Sequence, residues 1–336
     1  DGGNMTKKQL WTYISGGILN LFVLGSITSC GGMYQGNTGA VKNGWEKKDV
    51  KNGDFFYVSA NGNKIIATGG SFAYMATSLD NGNTWNVTRP PLPRKMNFIT
   101  SIGDTWLAVH DDKTMIQSTD NGNTWVIKPL SINNSFYFSD LCYEGNVLIA
   151  TGGAIFSSKR KAAVAKSFDK GNSWTVTSLP IESDCCRSMA HNGSTWIVLN
   201  NDRSISRSVD NGTTWARISI PSTQNVNRLM QIVYSDSKWV IVGSNGTILV
   251  SSDGISWTLK AVGIKSTLSD IACHGNVLVA IGYDGVILVS ADDGNTWTTR
   301  NSYTNCNLEK VIYNNNSWII VGQGVILTST DTVVWQ

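Results

Sequence analysis

The chain has 336 residues, of which 41% are hydrophobic and only 15% are charged, and its formal net charge at neutral pH is +3. This small surplus of positive charge gives no indication of nucleic-acid binding, and no run of like charges forms a basic or acidic tail. The low charge, together with 33 Gly and 13 Trp, is typical of an all-β protein with many tight turns.

The first predicted element is an export signal over residues 1–29. Lys7 and Lys8 precede an apolar stretch, and small residues follow it up to Cys30. The end of this segment, Ile27-Thr28-Ser29-Cys30, resembles the lipobox of bacterial lipoproteins. In that family the signal is cut before the cysteine, whose thiol is then lipidated. The resemblance therefore implies an exported protein anchored to a bacterial membrane, periplasmic or at the cell surface, through lipid on Cys30.

Two other interpretations of this segment stay open. It could be a plain signal peptide or a transmembrane span over residues 9–29, although polar residues and glycines weaken the second interpretation. The four residues before Met5 lie upstream of the expected start and look extraneous to the signal. Residues 30–44 are rich in Gly, Asn and Thr, which predicts a flexible tether.

Residues 45–336 are predicted to form one domain, because one short phrase recurs along them seven times. The phrase is Ser, any residue, Asp, a tight Gly-containing turn, Thr or Ser, and Trp, and its copies are about 40 residues apart. This interval is that of one four-stranded blade of a β-propeller, so we predict an all-β, seven-bladed propeller of antiparallel blades. The seven aspartates of the phrase are Asp80, Asp120, Asp169, Asp210, Asp253, Asp292 and Asp331.

Each repeat is predicted to contain four short strands, which we call A to D in chain order. In repeat six the β-branched runs and the turn residues between them place these strands at 268–273, 277–281, 286–290 and 297–299. Repeat three is about nine residues longer than the others. We interpret its extra residues, around 157–163, as a longer loop between strands B and C, and long loops on rigid scaffolds often carry function.

The two ends of the domain predict how the ring closes. Trp45 lies 40 residues before Trp85, yet no Asp phrase precedes it. The last repeat has a degenerate phrase, with Thr332 in place of Gly, and the chain stops before a D strand can form. We therefore expect residues 45–48 to supply the outer strand of blade seven, which removes an exposed sheet edge.

The repeated phrase is similar to the Asp-box, or BNR repeat, of sialidase-like propellers and of the photosystem II assembly factors of plants and cyanobacteria. The assembly factors are seven-bladed, and their cyanobacterial members are lipoproteins. In sialidases the Asp-boxes lie on the C–D hairpins, away from the active site. The resemblance therefore implies a structural role for all seven aspartates, in which the carboxylate accepts hydrogen bonds inside the turn and Trp packs between sheets.

In such a propeller the B–C loops and the D–A connections emerge together, on the face opposite the Asp-boxes. We expect any binding site there, on a mixture of cations and aromatic rings that suits a protein segment or a glycan; an ordinary solvated surface is the alternative. The candidate residues are Phe72, Tyr74, Arg89, Arg94, Lys95, Lys159, Arg160, Lys161, Arg203, Arg300 and Tyr303.

A catalytic site is harder to assemble from this sequence. A sialidase needs three arginines, a Tyr–Glu nucleophile pair and an acidic Asp, and the family's Arg-Ile-Pro element is missing. No pair of carboxylates is singled out for a glycosidase, and the three histidines fall in different repeats without metal-ligand spacing. We therefore predict a monomeric, non-catalytic binding or assembly module without metal or cofactor. The alternative is a sialidase-like or other glycoside hydrolase with an atypical active site.

Five cysteines remain if Cys30 is lipidated, and an odd number argues against a full disulfide framework. Cys142 and Cys273 lie in strand-like runs and are expected to be buried. The redox state of Cys185, Cys186 and Cys306 is left open.

Overall fold

The computed structural model describes most of residues 45–330, in ranges that together hold twenty-nine strands and two short 3-10 helices. The predicted signal, the tether with Cys30, and Asp331 lie outside the described residues. No helix in the described part of the chain is long and apolar enough to span a membrane. The described ranges are 45–48, 50, 53–69, 74–88, 96–110, 114–132, 135–144, 147–220, 226 and 228–330.

The strands form seven sheets, each of which is one blade, numbered here in the order of their innermost strands. The first strand, β1 (Glu46–Lys48), belongs to blade seven and is described below. Strands A to D of blade one are β2 (Tyr57–Asn61), β3 (Lys64–Gly69), β4 (Tyr74–Ser78) and β5 (Asn86–Thr88). Those of blade two are β6 (Met96–Ile102), β7 (Thr105–His110), β8 (Thr114–Ser118) and β9 (Val126–Pro129).

The short strand β10 (Ser131–Ile132) adds a fifth strand to blade three. Strands A to D of that blade are β11 (Tyr137–Glu144), β12 (Val147–Phe156), β13 (Lys159–Ser167) and β14 (Ser173–Ser178). Those of blade four are β15 (Cys186–His191), β16 (Trp196–Asn200), β17 (Ser204–Ser208) and β18 (Ala216–Ser219).

Strands A to D of blade five are β19 (Leu229–Tyr234), β20 (Trp239–Gly243), β21 (Ile248–Ser251) and β22 (Thr258–Lys260). Those of blade six are β23 (Leu268–His274), β24 (Val277–Gly282), β25 (Ile287–Ser290) and β26 (Thr298–Arg300). The two 3-10 helices, Ser244–Gly246 and Tyr283–Gly285, form the B–C turns of blades five and six. Blade seven contains β27 (Leu308–Asn314), β28 (Ser317–Gly322) and β29 (Val325–Ser329), with β1 outermost.

The seven blades form one closed ring. The innermost strand of each blade contacts the innermost strand of the next, in the order β2, β6, β11, β15, β19, β23 and β27, and β27 contacts β2 again. The B strands are apolar because both of their faces are covered by neighbouring blades, as β20 and β28 show by being buried along their whole length. The predicted seven-bladed, all-β propeller is confirmed.

The ring closes through the predicted strand exchange between the two ends of the domain. Strand β1 pairs antiparallel with β29, with Glu46 opposite Thr328 and Lys48 opposite Ile326. Trp45 is only 3% exposed and belongs to a core cluster that includes Leu308 and Trp318. The outer strand of blade seven therefore comes from the N-terminal side of the domain, as the spacing of Trp45 and Trp85 indicates.

Blade three corrects one expectation. Its extra residues do not form a longer loop; they lengthen strands B and C, which stay paired from Leu148 opposite Ser167 to Phe156 opposite Lys159. The turn between them has only two residues, Ser157 and Ser158, with φ values of 47° and 66°. Positive φ at both positions matches the twist of the strands, so the ladder runs to the tip. We call residues 154–163 the blade-three hairpin.

The five described cysteines are thiols. Cys186 and Cys306 are buried, whereas Cys142 and Cys273 are only partly buried, so the expectation of full burial was wrong for these two. Both lie on innermost strands, where no further strand covers the inner edge of the sheet. Burial raises the pKa of the Cys273 thiol to about 11.

Candidate functional site

The B–C turns and the D–A connections form one surface, which we call the loop face. Backbone hydrogen bonds join the two kinds of segment in successive blades. Ser244 N donates to Arg228 O at 2.9 Å, Tyr283 N donates to Thr267 O at 2.9 Å, and Gln323 N donates to Asn307 O at 3.0 Å. Because this bond recurs in successive blades, it holds the backbone of the turns and connections in place. A rigid backbone of this kind suits a binding site.

The Asp phrases occupy the turns at the other end of the strands, and their carboxylates are committed to those turns. Asp80 Oδ1 accepts hydrogen bonds from Thr84 N and Ser78 Oγ at 2.8 Å, and its Oδ2 accepts from Thr84 Oγ1 at 2.6 Å. The hydrogen bonds from Thr84 lower the pKa of Asp80 to about 2. Asp120, Asp169, Asp210, Asp253 and Asp292 make corresponding bonds within their turns.

An ionised carboxylate with so low a pKa is a poor general acid at neutral pH. The geometry of these six turns is therefore that of structural elements. The tryptophan of the phrase adds to it, since Trp85 Nε1 donates to Gly82 O at 2.9 Å and so fixes the ring against the turn.

The structure describes some of the predicted binding residues and not others. Phe72, Arg89, Arg94 and Lys95 lie outside the described residues. The others lie in or beside B–C turns and D–A connections of blades one, three, four and six; they are Tyr74, Lys159, Arg160, Lys161, Arg203, Arg300 and Tyr303.

The blade-three hairpin displays three of these cations together. Lys159 and Lys161 are exposed, and the guanidinium of Arg160 lies 4.6 Å from the centre of the Tyr137 ring, within cation–π distance. A Cβ atom on Gly153 would lie 2.9 Å from Arg160 Nε and 2.4 Å from Asp184 O, so a side chain there would disturb this arrangement. The hairpin is thus a rigid basic projection of the loop face.

Arg203 and Tyr303 occupy strained positions elsewhere on the loop face. Arg203, at the B–C turn of blade four, has a φ of 68° and donates from Nη1 to Val226 O at 3.3 Å. Its neighbour Asp202 is paired with Arg217 at 3.1 Å. Tyr303 has a φ of 55° and is 40% exposed, in the D–A connection after blade six. Strained, exposed side chains on a rigid frame are candidates for contacts with a partner.

Sequence reasoning missed a group of residues that we call the mouth cluster: Arg187, Arg228, Tyr283 and Glu309. They come from blades four to seven, yet they influence one another. Burial and then the charge of Arg228 lower the pKa of Arg187. Burial and then Glu309 raise the pKa of Tyr283. Glu309 Oε1 also accepts a hydrogen bond from Gln323 Nε2 at 3.1 Å.

A second group lies on the innermost strands and forms what we call the channel belt. Asp270 Oδ1 accepts from Lys310 Nζ at 3.0 Å, and its Oδ2 accepts from Val311 N at 2.7 Å. Ser188 Oγ donates to Gln231 Oε1, Gln231 contributes to lowering the pKa of Asp270, and Ser188 contributes to lowering the pKa of Asp140. The belt therefore joins blades three to seven.

The charges of the belt are unequal, because two carboxylates face one ammonium group. Burial raises the pKa of both Asp140 and Asp270, and the Lys310 charge opposes this shift. For Lys310, burial lowers the pKa, but the two carboxylates outweigh it and the net direction is upward. In the described part of the chain, His, Cys, Asp and Glu form no group of three or more that could hold a metal ion.

Comparison with known proteins supports the fold. Residues 186–335 match the family model described as the DUF6242 beta propeller domain. A search of characterised proteins by sequence found no match. Among solved structures, YCF48 bound to D1 peptide is 19% identical, with a TM-score of 0.70 over 88% of this chain and 97% of that one.

Two further structures show the same likeness of fold. YCF48 from Cyanidioschyzon merolae is 15% identical, with a TM-score of 0.67 over 85% of this chain and 98% of that one. A catalytically inactive virginiamycin B lyase from Staphylococcus aureus, with quinupristin, is 12% identical, with a TM-score of 0.68 over 84% of this chain and 98% of that one. Propellers of this shape therefore include both a peptide binder and an enzyme.

Proposed function

We propose that this chain is a non-catalytic binding or assembly module that presents its loop face to a protein partner. The observation that carries the proposal is the blade-three hairpin, which departs from the regular repeat to hold two exposed lysines and a stacked arginine on paired strands. The peptide complex of YCF48, a propeller of the same fold, supports a protein partner. A glycan is the other ligand class that such a mixture of cations and aromatic rings suits.

The chemistry of the loop face favours an acidic segment of the partner. Converging cations raise the local potential and steer an acidic surface, although exposed charges alone contribute little to affinity. Aromatic side chains such as Tyr303 would supply the larger contact area. Binding should therefore weaken as salt screens the hairpin charges.

The test compares two double variants that each remove two exposed lysines. Soluble protein comprising residues 45–336 is used to isolate the partner by cross-linking, and the affinity for the purified partner is then measured at low and high salt. Lys159→Ala with Lys161→Ala should weaken binding about tenfold at low salt and less at high salt. Lys47→Ala with Lys170→Ala, away from the loop face, should bind like the native protein. Equal affinities of the two variants would remove the hairpin from the interface.

We also propose that the protein is exported and held at a bacterial membrane by lipid on Cys30. The layout of residues 7–30 supports this, as does its likeness to a lipobox. Cys30→Ala should leave the protein unlipidated and release it from washed membranes. A variant that stays in the membrane with its signal uncleaved would indicate a transmembrane anchor instead.

The mouth cluster favours a second candidate, a sialidase-like glycoside hydrolase. Burial and then the charge of Glu309 raise the pKa of Tyr283, and a Tyr with a Glu near it resembles the Tyr–Glu pair of sialidases. Arg187 with Arg228 could bind a substrate carboxylate. Two arginines, rather than the three that sialidases use, contribute to this cluster within the described residues. Release of 4-methylumbelliferone from its sialoside by the native protein, and its loss in Tyr283→Phe, would establish this candidate. No turnover at any pH from 4 to 8 would exclude sialidase activity.

A further inference from the structure

A small cavity with apolar and polar walls opens on the loop face in blade five. Its volume is about 200 Å³, and its apolar wall is formed by Val226, Leu259, Val262 and Ile264. Pockets for drug-sized molecules generally measure about 300–1,000 Å³, so this one is of a size for one or two amino-acid side chains. We call it the blade-five pocket.

Comparison with blade six shows that the fold does not require apolar side chains at these positions. The B–C turns of the two blades have the same shape, with φ of 55° at Asn245 and 60° at Asp284. The D–A connections that pack on them differ in chemistry. Blade six has Thr299, Ser302 and Thr304 where blade five has Leu259, Val262 and Ile264.

The apolar side chains of this pocket are only partly covered by the core. Leu259 is 43% exposed, one of the larger apolar side chains on the described surface, and Val262 and Ile264 are only partly buried. Val262 and Ile264 pack against the core with one part of their surface and leave the rest accessible, and accessible apolar surface of this kind is typical of contact sites. Their replacement by polar residues in blade six marks them as a feature of this pocket.

The rim of the pocket is positively charged. Lys260 lines it, and Arg203 donates a hydrogen bond to the carbonyl oxygen of Val226, another lining residue. The nearest acidic side chain of that turn, Asp202, is already paired with Arg217. An apolar floor with cations beside it is complementary to an apolar side chain that has a carboxylate as its neighbour.

We propose that the blade-five pocket binds an aliphatic side chain of a partner's peptide segment, next to an acidic residue that contacts Arg203 and Lys260. This inference rests on the proposed function, since it names the part of the loop face that determines which peptide sequence binds. The hairpin charges attract the segment, and the pocket selects it.

The test exchanges the pocket for the chemistry of blade six. The pocket variant carries Leu259→Thr, Val262→Ser and Ile264→Thr, residues that the same fold holds at the equivalent positions. The control variant carries Val126→Thr, Ile127→Thr and Val209→Thr, which removes three exposed aliphatic side chains elsewhere. Random twelve-residue peptides displayed on phage are selected on the native protein, and the enriched peptides are synthesised and titrated by fluorescence anisotropy.

We expect enriched peptides to share an aliphatic residue beside Asp or Glu. They should bind the pocket variant at least about tenfold more weakly and the control variant as tightly as the native protein. Replacing the aliphatic residue of the peptide by Ala, or its acid by the amide, should reproduce the loss. If the pocket variant melts early, Leu259→Thr alone gives the same comparison, because that residue is 43% exposed and lies outside the core clusters.

Two results would overturn the inference, and they differ in what they leave standing. Peptides that lose affinity for the Lys159→Ala, Lys161→Ala variant but not for the pocket variant would refute the pocket and keep the loop-face function. If no enriched peptide depends on either site, both proposals fall.

Discussion

At the scale of single residues, the channel belt places two carboxylates near one ammonium group. Asp270 accepts hydrogen bonds on both oxygens, one of them from Lys310. Asp140 is influenced by the charge of Lys310, but the hydrogen bond of that lysine goes to Asp270. Since one ammonium group cannot neutralise two carboxylates, Asp140 is the group that favours its proton. Burial of a charge without a partner is unfavourable, so burial disfavours the ionised form of Asp140 and raises its pKa.

The belt predicts opposite effects for two similar substitutions. Asp140→Asn removes the surplus charge and should leave the free energy of unfolding at pH 7 unchanged or higher. Asp270→Asn breaks the ion pair between a buried carboxylate and a partly exposed ammonium group, and should lower the free energy of unfolding by about 1.5–3 kcal/mol. Because the native pKa of Asp140 is raised above its unfolded value, its ionisation destabilises the native state as pH rises from about 4. The advantage of Asp140→Asn should therefore shrink towards pH 4 in urea titrations. Equal losses in both variants would contradict this account of the belt.

At the scale of elements, the sequence predicted the strands wherever turn residues punctuate the repeat. All four strands of blade six are predicted to within one residue at each end, because Gly, Asn and Asp mark the turns between short β-branched runs. The prediction of a longer loop in blade three was wrong because Ser157 and Ser158 are weak turn signals. In the sequence, extra residues that lengthen two paired strands cannot be told from extra residues in a loop. The spacing of the repeats shows how many residues a repeat contains, but it does not show how its strands pair.

The loop face could be predicted from topology, but the mouth cluster and channel belt could not. Lys310 and Glu309 adjoin a register shift in the pairing of β27 with β28, and similar shifts follow Leu268 and Leu229. Such bulges re-aim the side chains beside them. A glycine on strand B lies opposite each of these shifts, namely Gly243, Gly282 and Gly322, where a Cβ atom would collide with the backbone beside the bulge. These glycines follow apolar runs like other turn glycines in the sequence, so they do not show which side chains turn towards the channel.

The closing strand gives a prediction at this scale. Trp45→Ala should lower the free energy of unfolding by about 3–5 kcal/mol, because it empties a buried site between blades six and seven. The melting temperature should fall by roughly 10 °C, with aggregation above the transition. Glu46→Ala and Lys47→Ala, exposed on the same strand, should change stability by no more than about 0.5 kcal/mol. A melting curve for Trp45→Ala that matches these controls would show that β1 does not hold the ring closed.

At the scale of the whole molecule, stability is shared around the ring rather than held by any blade. The core consists of apolar clusters between neighbouring blades, such as Ile149 and Val164 of blade three with Val198 of blade four. Another cluster joins Ile65 of blade one to Ile319 of blade seven. A blade therefore has no core of its own, and each one completes the hydrophobic surface of the next.

This arrangement predicts the fate of the segment that matches the propeller family model. Residues 186–335 contain blades four to seven, but without β1 and without the neighbours on either side. The isolated segment should expose the halves of two clusters that contain Val198 and Ile319, together with the edge of β29. We expect it to elute as aggregates, to bind a hydrophobic dye and to melt without a cooperative transition. Residues 45–336 should elute as a monomer with a single sharp transition. A monomeric, cooperatively melting segment would show instead that four blades can close on themselves, and that the core is local rather than shared.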